Sequence, residues 1–585
     1  MILTYIDKSL LSHVLKINIL ELEQQQEVVQ KVQKTWENMD KNDRYSTLFS
    51  LKECFFRAMT TEQKEFYIKV LVKEITDDVC NTCDLLELLG HLIKYVEFDV
   101  QPIIQSVLLI APKLCKPKDC IGMMNFVKYA WDVCYEGIRC QIRGFLQKIT
   151  YSSNADLAEV ADDTIYAIDS SPVCKSNSEL ALVIPEFLTS DSFLQQPIDF
   201  LSVLSALERN GLQGDIIDNR VHNFSLYHLS QILEPYNTII ITSSPVDMLQ
   251  KYYVDYRYCV FCETVNWLYN YYPEKQILVC GAHGTVSNKL LCKDINCHQI
   301  LIGENTKAIL TYFLGKEQEE VPLFNYPLQL KAIDMNWYFG RKIVNQITYH
   351  QKQYSIFQLS QGCPYHCIYC FNIYGHEVSR MPVKKAITQL RYLKNAGVKH
   401  IFFIDQTFTL DSSYIHELCK EMCNQKLSLT WQCETRADLI NRALLQDMKD
   451  AGCTAIWLGF ESFSQRVLDA NKKQLNNKQQ LQAIYTIKEV GIDCFGFVML
   501  GMAADTSETI KKTIDTIIKY KIHTSRTANL CTVRIGTELY DKAMMENLIR
   551  IDSFCHLEAF RGRLFNDLTE SELTQALQRF SAYLG

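Results

Sequence analysis

The chain has 585 residues, of which 48% are hydrophobic and 22% are charged, and its formal net charge is -7. This length predicts several domains, and the composition is that of a globular protein, which excludes a largely disordered or fibrous chain. The acidic balance, without a basic patch, gives no reason to expect nucleic acid as a partner. With no secretory signal at the N-terminus and no membrane-spanning apolar run, the 23 cysteines predict thiols in a soluble cytoplasmic protein.

The N-terminal quarter of the chain has a helical pattern. Apolar residues recur at three- to four-residue spacing from Leu10 to about Tyr151. The following segment, 152–178, is rich in Ser, Asp and Asn and predicts a linker. We therefore expect a helical domain over residues 1–152, which either caps an active site or recognises a substrate.

The middle of the chain alternates short strands with helices, which is typical of an α/β domain. Strands are predicted at 180–184, 214–218, 238–242, 276–280 and 299–302. Right-handed crossovers would build from them a doubly wound, Rossmann-like sheet over 178–320, with its ligand site at the carboxyl ends of the strands. The residues at those ends are Thr242, Ser243, Ser244, Gly281, Ala282, His283, Gly303, Glu304 and Asn305. Most of them are small, so a flat, bulky ligand can approach the backbone.

A second alternating region spans residues 340–550. Its strands are predicted near 354–359, 400–405, 429–434, 455–460, 493–500 and 526–535. Six strand-helix units are too few for a closed eight-fold barrel, so we expect an open, partial (β/α)6 barrel with its chemistry at the carboxyl rim. A short helical tail is expected over 551–585, and the fold class of the whole chain is α/β multidomain.

Three cysteines stand close together directly after the first barrel strand. Cys363, Cys367 and Cys370 lie in a loop that can wrap one cluster. Thiolates suit an iron-sulfur cluster or zinc, but tetrahedral zinc needs a fourth ligand at comparable spacing, which no neighbouring residue supplies cleanly. Three ligands imply a cluster with one open iron.

This C-x3-C-x2-C spacing, at this point of a six-unit partial barrel, resembles the radical S-adenosylmethionine (SAM) superfamily. The resemblance implies a 4Fe-4S cluster whose open iron binds the amino and carboxylate groups of SAM. It further implies that one electron, from a flavodoxin- or ferredoxin-type donor, splits SAM to give a 5'-deoxyadenosyl radical. No catalytic residue is expected beyond the residues that hold the cofactors.

The resemblance also assigns a SAM site to the ends of the next strands. The residues concerned are Tyr369 near adenine, Asp405 and Gln406 after the second strand, Glu434 and Arg436 after the third, and Glu461 and Ser462 after the fourth. Carboxylates suit the ribose hydroxyls and the ammonium group, and an arginine suits the SAM carboxylate. The chain lacks the Gly-Gly-Glu type segment that the family often has after its second strand. For each residue the alternative is a solvated charge or a structural salt bridge.

A doubly wound domain directly ahead of such a barrel resembles the cobalamin-binding subfamily of these enzymes, over residues 180 to 550. The resemblance implies that the nine residues at the sheet edge bind cobalamin. The loop 185–196 contains no histidine, so no protein imidazole is expected as the lower ligand of cobalt. The alternative is a degenerate Rossmann-like domain that binds nothing or another dinucleotide.

The commonest reaction in that subfamily is methyl transfer to an inert carbon, which consumes two SAM molecules and proceeds through methylcobalamin. We therefore expect a C-methyltransferase acting on a natural-product or peptide substrate. The main alternative is a rearrangement, cyclisation or ring contraction without methyl transfer. Methylthio transfer to tRNA is disfavoured because a second trio of cluster cysteines is not evident, and a carrier without turnover is disfavoured by the intact cysteine loop.

The remaining cysteine pairs lack a partner pair at ligand spacing. These are Cys80 with Cys83, Cys259 with Cys262, and Cys419 with Cys423. We predict that they are buried core thiols rather than ligands of a second cluster.

Overall fold

The structure, a computed structural model, describes most of the chain after residue 60. The described residues are 61–77, 82–93, 99–165, 178–185, 197–244, 256–315, 354–551, 554 and 562–584, with short gaps at 115, 132–133, 153, 155–156, 159, 163, 223–225, 373, 396 and 525–528.

Between residues 61 and 165 the described residues form helices, as their apolar spacing predicts. They are α1 Thr61–Asp77, α2 Cys83–Ile93, α3 Gln101–Leu108, α4 Pro117–Ala130 and α5 Glu136–Thr150. The buried Asp119 of α4 accepts hydrogen bonds from the backbone N–H groups of Thr82 and Cys83, at 3.1 and 3.2 Å, and so caps the start of α2. The predicted helices before residue 61 lie outside the described residues.

A five-stranded parallel sheet follows. Its strands are β1 Leu180–Ile184, β2 Asp215–Asp218, β3 Thr238–Thr242, β4 Gln276–Cys280 and β5 Gln299–Ile300, in the order β2-β1-β3-β4-β5. The helices are α6 Ile198–Arg209, α7 Asn219–His222, α8 Leu226–Leu233, α9 Tyr256–Tyr271, α10 Ala282–Asp294 and α11 Asn305–Leu314. Helix α6 packs on α11, and α8 packs on α9. Every residue of β1 is buried, as in a parallel sheet covered on both faces. The five strand predictions are confirmed to within two residues.

The second parallel sheet is built from β6 Tyr354–Phe357, β9 His400–Phe403, β10 Thr430–Thr435, β11 Cys453–Glu461, β12 Asp493–Leu500 and β13 His523–Thr524, in that order. Two further strands, β7 Ser360–Gln361 and β8 Ser379–Arg380, form a separate antiparallel hairpin. The helices are α12 Val383–Asn395, α13 Ser412–Asn424, α14 Arg442–Asp450, α15 Gln465–Ala470, α16 Asn477–Val490, α17 Ser507–Tyr520, α18 Glu538–Met545 and α19 Glu570–Leu584. The α/β class with parallel sheets is therefore confirmed.

The sixth barrel strand differs from the prediction of one strand over 526–535. The structure has instead two short strands, β13 and β14 Asn529–Leu530, which both pair with β12. The apolar residues that suggested a longer strand, Val533 and Ile535, are buried without strand pairing. They lead into a turn in which the Thr537 N–H donates to the Arg534 carbonyl and α18 begins.

Two hydrophobic cores hold these elements. Buried residues of both sheets and their helices form one contiguous core, and α1 to α5 contribute to a second. None of the described helices is long and apolar enough to cross a membrane.

The contact between α2 and α4 generates a prediction about Gly122. A Cβ at this position would lie 2.5 Å from the Cα of Cys83, whereas a Cβ at Gly144 in α5 would meet nothing within 4 Å. Gly122→Ala should therefore destabilise the helices by about 1–3 kcal/mol, and Gly144→Ala should stabilise α5 by about 0.5–1 kcal/mol. Hydrogen exchange measured by mass spectrometry checks both, with faster exchange in α2 and α4 expected for Gly122→Ala only. Equal exchange in the two variants would contradict the close helix contact.

Candidate functional site

The cysteine loop starts from the hairpin of β7 and β8. Gly362 precedes the first cysteine with φ +95°, and a Cβ there would lie 1.9 Å from the carbonyl oxygen of Glu377. Only glycine fits this backbone and this spacing, so Gly362 fixes the point at which Cys363 leaves the hairpin.

Hydrogen bonds hold the rest of the loop. Cys363 N–H donates to the Gly375 carbonyl at 3.2 Å, and Cys370 N–H donates to the Cys367 carbonyl at 3.0 Å. The Asn372 amide donates to the Cys363 carbonyl at 3.0 Å and accepts from Gln406 Nε2 at 3.0 Å. Among the described residues the buried Gln406 Oε1 has no hydrogen-bond partner. It is therefore an acceptor available to a ligand beside the loop, which fits the predicted SAM ammonium group.

The three thiols influence one another electrostatically. Burial and the charges of Cys367 and Cys363 raise the pKa of Cys370 to about 12. Burial also raises the pKa of Cys367, against the opposing effect of nearby Lys473 and Arg436. Within the described ranges, no three Cys, His, Asp or Glu side chains could hold a metal ion together. Each thiolate of a cubane binds a different iron, so three cluster ligands stand further apart than three ligands of one ion. The three thiolate donors fit a 4Fe-4S cluster with one open iron.

Arg436, predicted to bind the SAM carboxylate, already uses four of its N–H groups. It pairs with both oxygens of Asp438 at 3.0 Å and donates to the carbonyls of Lys473 and Gln474 at 3.0 and 2.9 Å. Its guanidinium also lies 3.6 Å from the ring centroid of Tyr365 in the cysteine loop. Arg436 thus ties the end of β10 to the cysteine loop and to the segment after α15.

A buried ion pair lies beside this arginine. Lys473 Nζ contacts Glu461 Oε1 at 2.9 Å, and the two side chains are 8% and 11% exposed. Glu461 has φ +59°, a backbone strain for a residue other than glycine. Burial lowers the pKa of Lys473, but Glu461 and Cys367 outweigh it and raise the pKa above its ordinary value. Burial, followed by the charges of Glu461 and Cys367, also holds the pKa of Tyr369 well above its ordinary range.

Asp405, predicted to bind the SAM ammonium group, is buried under the start of the hairpin. Its carboxyl accepts hydrogen bonds from the Leu359 N–H at 3.2 Å and from the Ser360 hydroxyl at 2.5 Å. Burial raises its pKa to about 6, although these hydrogen bonds oppose the shift. Ser462 is buried, lies 3.2 Å from the Thr513 hydroxyl, and accepts from the Ser464 N–H. Both residues therefore position backbone, whereas Glu434 is half-buried in β10.

The segment 471–474, which the sequence analysis did not single out, fastens the cysteine loop. Ile368, between the second and third cysteines, donates its N–H to the Asn471 carbonyl at 3.2 Å and accepts from the Leu539 N–H at 2.9 Å. Asn471 is fully buried and donates to the Ala503 carbonyl at 2.9 Å. No local sequence signal identifies this segment, since its contacts with the cysteine loop are distant along the chain.

At the edge of the first sheet, the ends of β3 and β4 are joined by hydroxyl groups. Ser244 Oγ accepts from the Ala282 N–H at 2.9 Å, and Ser243 Oγ accepts from the His283 N–H at 3.4 Å. The Thr242 hydroxyl accepts from the Ser244 N–H at 3.0 Å. Gly281 has φ +108°, and a Cβ there would lie 2.6 Å from Ser243 Oγ. These residues shape the edge through contacts with one another.

His283 packs in an aromatic environment. Its ring stacks 4.8 Å from that of Tyr258 and lies edge-on to Phe554 at 5.0 Å. It is 1% exposed. The sequence places His283 just after the fourth strand, and the structure buries it at the start of α10, beneath the sheet edge.

The end of β5 is more open. Ile302 is 53% exposed, and a Cβ added to Gly303, which has φ +108°, would meet nothing within 4 Å. Glu304 caps α11 by accepting from the N–H groups of Thr306 and Lys307 at 3.0 and 2.8 Å. Asn305 is fully buried and donates to Asp199 at 3.3 Å. An exposed apolar side chain beside a side-chain-free position fits a flat cofactor such as cobalamin.

The two candidate sites meet at Gly536. A Cβ at this glycine would lie 3.2 Å from the ring of Phe371, which follows Cys370, and 3.9 Å from the side chain of Val286 in α10. The cysteine loop and the helix that starts at the edge of the first sheet are therefore neighbours.

Comparison with known families agrees with the cysteine loop. Residues 357–517 match the radical SAM superfamily. This segment is a radical SAM domain. It runs from β6 into α17 and contains the three cysteines and the ion pair described above. The match agrees with the prediction of a radical SAM domain in this part of the chain.

Individual relatives are more distant. An uncharacterized methyltransferase of Pyrococcus horikoshii is 28% identical over 203 residues, which are 34% of this chain and 43% of that protein. The anaerobic magnesium-protoporphyrin IX monomethyl ester cyclase of Rubrivivax gelatinosus is 28% identical over 167 residues, 28% of this chain and 30% of that protein. The structure of the radical SAM methyltransferase TsrM from Kitasatospora setae, with cobalamin and a 4Fe-4S cluster bound, has a TM-score of 0.48 and 15% identity, covering 63% of this chain and 78% of that one. The chain spans less than half the length of either curated relative.

The cysteines of the three other pairs, which were predicted to be buried core thiols, differ in how deeply they are buried. Cys83 and Cys419 are buried, and Cys262 is half-buried. Cys423 is exposed, which corrects its prediction as a core thiol: it lies in the last turn of α13, near Asp447 and Asp450 of α14. Cys80 lies outside the described residues, as does the side chain of Cys259.

The radical SAM loop generates a first test. Cys363→Ala should abolish the cluster and all reductive cleavage of SAM, because one of three iron ligands is lost, while the first sheet stays folded. Iron content and the 5'-deoxyadenosine formed under a strong reductant measure the two effects. Cys423→Ala, which removes an exposed thiol outside the loop, should leave the iron content and the cleavage of SAM unchanged. Cleavage retained in Cys363→Ala would contradict the ligand assignment.

The ion pair generates a second test. Lys473→Met should destabilise the barrel by about 3–5 kcal/mol, because it leaves the Glu461 carboxylate buried and unpaired. Lys472→Met, which breaks the exposed pair of Lys472 with Glu538, should cost at most about 1 kcal/mol. The double variant Lys473→Met with Glu461→Gln should recover part of the loss. Hydrogen exchange of β11 and β12 checks the series, and equal effects of the two lysine changes would contradict it.

Proposed function

We propose that this chain is a cobalamin-dependent radical SAM C-methyltransferase that acts on an unactivated carbon of a natural-product or peptide substrate. The observation that carries the proposal is the contact at Gly536, where the cysteine loop meets the helix that begins at the edge of the first sheet. A reaction that uses a radical source and a cobalt-bound methyl group needs its two cofactors side by side.

The cluster and SAM would be held by the rim of the barrel. Cys363, Cys367 and Cys370 would bind iron, and the unpartnered Gln406 Oε1 would accept a hydrogen bond from the SAM ammonium group. Glu461 and Glu434 would be the carboxylates for the ribose hydroxyls, and Tyr369 would pack near adenine. When bound, the cluster and SAM would supply a 5'-deoxyadenosyl radical, and cobalamin would supply a methyl group.

Asp405, Arg436 and Ser462 take a different part in this proposal. Each is occupied by backbone or side-chain partners that fix the cysteine loop or the ends of β10 and β11. We assign them to the positioning of the SAM site, where Arg436 would also face the SAM carboxylate.

Cobalamin would lie against the carboxyl edge of the first sheet, beside the start of α10. The exposed Ile302 and the open space over Gly303 support a flat ligand there. Thr242, Ser243, Ser244, Gly281, Ala282, His283, Glu304 and Asn305 would shape this surface through the contacts described above. The loop 186–196, which bears on the lower ligand of cobalt, lies outside the described residues.

Methylation is preferred to a rearrangement because the relative from Pyrococcus horikoshii is named a methyltransferase. The second relative is named a cyclase, so cyclisation, rearrangement or ring contraction without methyl transfer is retained as the second candidate. We also propose a cytoplasmic location, a flavodoxin- or ferredoxin-type electron donor, and a helical domain over 1–152 that caps the site or recognises the substrate. The other proposed domains are a cobalamin-binding domain over 178–320, a radical SAM partial barrel over 340–550 and a short helical tail over 551–585.

The deciding experiment follows SAM consumption by the anaerobically purified protein, reconstituted with iron, sulfide and cobalamin, under a strong reductant. Mass spectrometry should detect both 5'-deoxyadenosine and S-adenosylhomocysteine, while the visible spectrum reports bound corrinoid. Deoxyadenosine alone, with corrinoid bound, would favour the second candidate. No bound corrinoid would overturn the cobalamin assignment.

A matched pair of variants tests the cobalamin edge separately. Ile302→Glu should reduce corrinoid binding at least tenfold, because a charge replaces an apolar contact, and should leave the iron content unchanged. Ile518→Glu, at an exposed isoleucine of α17, should change neither. Corrinoid binding that is equal in both variants would contradict the proposed edge.

A further inference from the structure

The two faces of the barrel sheet differ in burial. Side chains that pack against the surrounding helices, such as Trp431, Leu458 and Phe460, are fully buried. Alternate positions on strands β9 to β12 point to the concave face and are only half-buried. These residues are Phe402, Gln432, Trp457, Phe495 and Phe497, which we call the barrel floor.

The barrel floor contains a stack of aromatic rings. Trp457 lies 4.5 Å from Phe495 with an interplanar angle of 17°, and 5.2 Å from Phe497 with an angle of 29°. Phe402 lies 6.5 Å from Trp457. Nearly parallel rings that remain half-exposed can be extended by one more flat ring with favourable stacking.

A fixed hydrogen-bond donor lies beside the rings. Trp457 Nε1 donates to Gln432 Oε1 at 3.1 Å, which orients the amide. In the part of the chain that the structure describes, the NH2 group of Gln432 donates no hydrogen bond. It is therefore available to an acceptor on a ligand that lies against the rings.

The barrel floor lies below the proposed SAM site. Trp457 and Gly459 take alternate positions on β11, and a register shift separates Gly459 from Glu461, so that the strand from Trp457 to Glu461 runs beside three residues of β12, roughly 10 Å. A Cβ at Gly459 would lie 2.8 Å from Glu461 Oε1 and 3.0 Å from Lys473 Nζ, so this position needs a residue without a side chain. The distance from the rings to the rim is that of a small ring system.

We propose that the barrel floor binds the substrate, and that the substrate is a planar, largely apolar ring system with a hydrogen-bond acceptor at its edge. This inference rests on the proposed function, since it names the substrate class of that site. None of the five side chains is charged, so the floor selects for stacking and for one acceptor, and not for an ionic group. A saturated ligand would forgo the stacking, and a ligand without an acceptor would leave the Gln432 donor unpaired.

The competing explanation is that these rings only pack the interior of the barrel. That explanation predicts no binding of flat ligands and no effect of Gln432 on any ligand. Binding measurements on the full chain therefore separate the two.

The test uses chromen-4-one, a flat neutral ring with a carbonyl edge, and octahydrochromen-4-one, its saturated and equally neutral counterpart. Equilibrium dialysis with the reconstituted protein, without SAM or reductant, should show the flat probe binding at least tenfold more tightly. Trp457→Ala should weaken its binding tenfold or more, and Gln432→Leu threefold or more. Tyr485→Ala, at an exposed ring on α16, should leave binding within twofold of the unaltered protein.

Equal binding of the two probes, or unchanged binding of the flat probe in Gln432→Leu, would overturn the proposal. If Trp457→Ala fails to fold by circular dichroism, Gln432→Leu decides alone. Because the assay contains no SAM, its failure leaves the proposed function standing. Absence of corrinoid or of SAM cleavage in the unaltered enzyme would overturn the proposed function and leave the binding result intact.

Discussion

The cysteine loop has almost no secondary structure of its own, so its shape depends on hydrogen bonds from elements that are distant in sequence. Gly362 fixes its start against the Glu377 carbonyl, Asn372 and Gln406 brace its first cysteine, and Asn471 and Leu539 hold the backbone of Ile368. A cluster with three protein ligands needs its three sulfur atoms at positions that match the cubane, and a loop held in place by these hydrogen bonds supplies them. The conformations of the hairpin, of segment 471–474 and of the start of α18 are all tied to this requirement.

The charged residues beside the cysteine loop are explained by the same need to hold a cluster. Three thiolates and a reduced cluster concentrate negative charge in a partly buried place, and burial alone opposes thiolate formation, as the raised pKa values of Cys367 and Cys370 show. Lys473 and Arg436 supply opposing positive charge next to Cys367. Both cations are themselves in ion pairs: Lys473 pairs with Glu461, and Arg436 pairs with Asp438. Buried cations that are themselves paired can stabilise an anionic centre without the full desolvation cost of a lone charge.

Local pattern was sufficient for much of the fold and for the cluster ligands. Short apolar runs bounded by turn residues, such as Leu180–Ile184, are typical of strands buried on both faces of a parallel sheet, and the cysteine spacing lies within one loop. The sequence pattern could not predict the role of residues whose contacts are distant along the chain. From the sequence, Arg436 is predicted to bind a ligand, because its carbonyl partners in segment 471–474 cannot be foreseen. In the same way, the sequence does not reveal that Tyr258 and Phe554 surround His283. The prediction of a sixth strand over 526–535 was wrong for the same reason. Val533 is buried by tertiary packing, and a buried apolar residue in the sequence looks the same whether or not it lies in a strand.

The contact at Gly536 also bears on how a substrate reaches the proposed site. Both sheets contribute to one contiguous core, so separating them would expose apolar surface, at about 25 cal/mol for each Å². Opening between the two sheets is therefore a costly route. The helices α1 to α5 contribute to a separate core, and movement of that unit leaves the first core intact. Movement of a helical cap, as proposed above, would leave Phe371 beside Gly536 and the spacing of the two proposed cofactor sites unchanged.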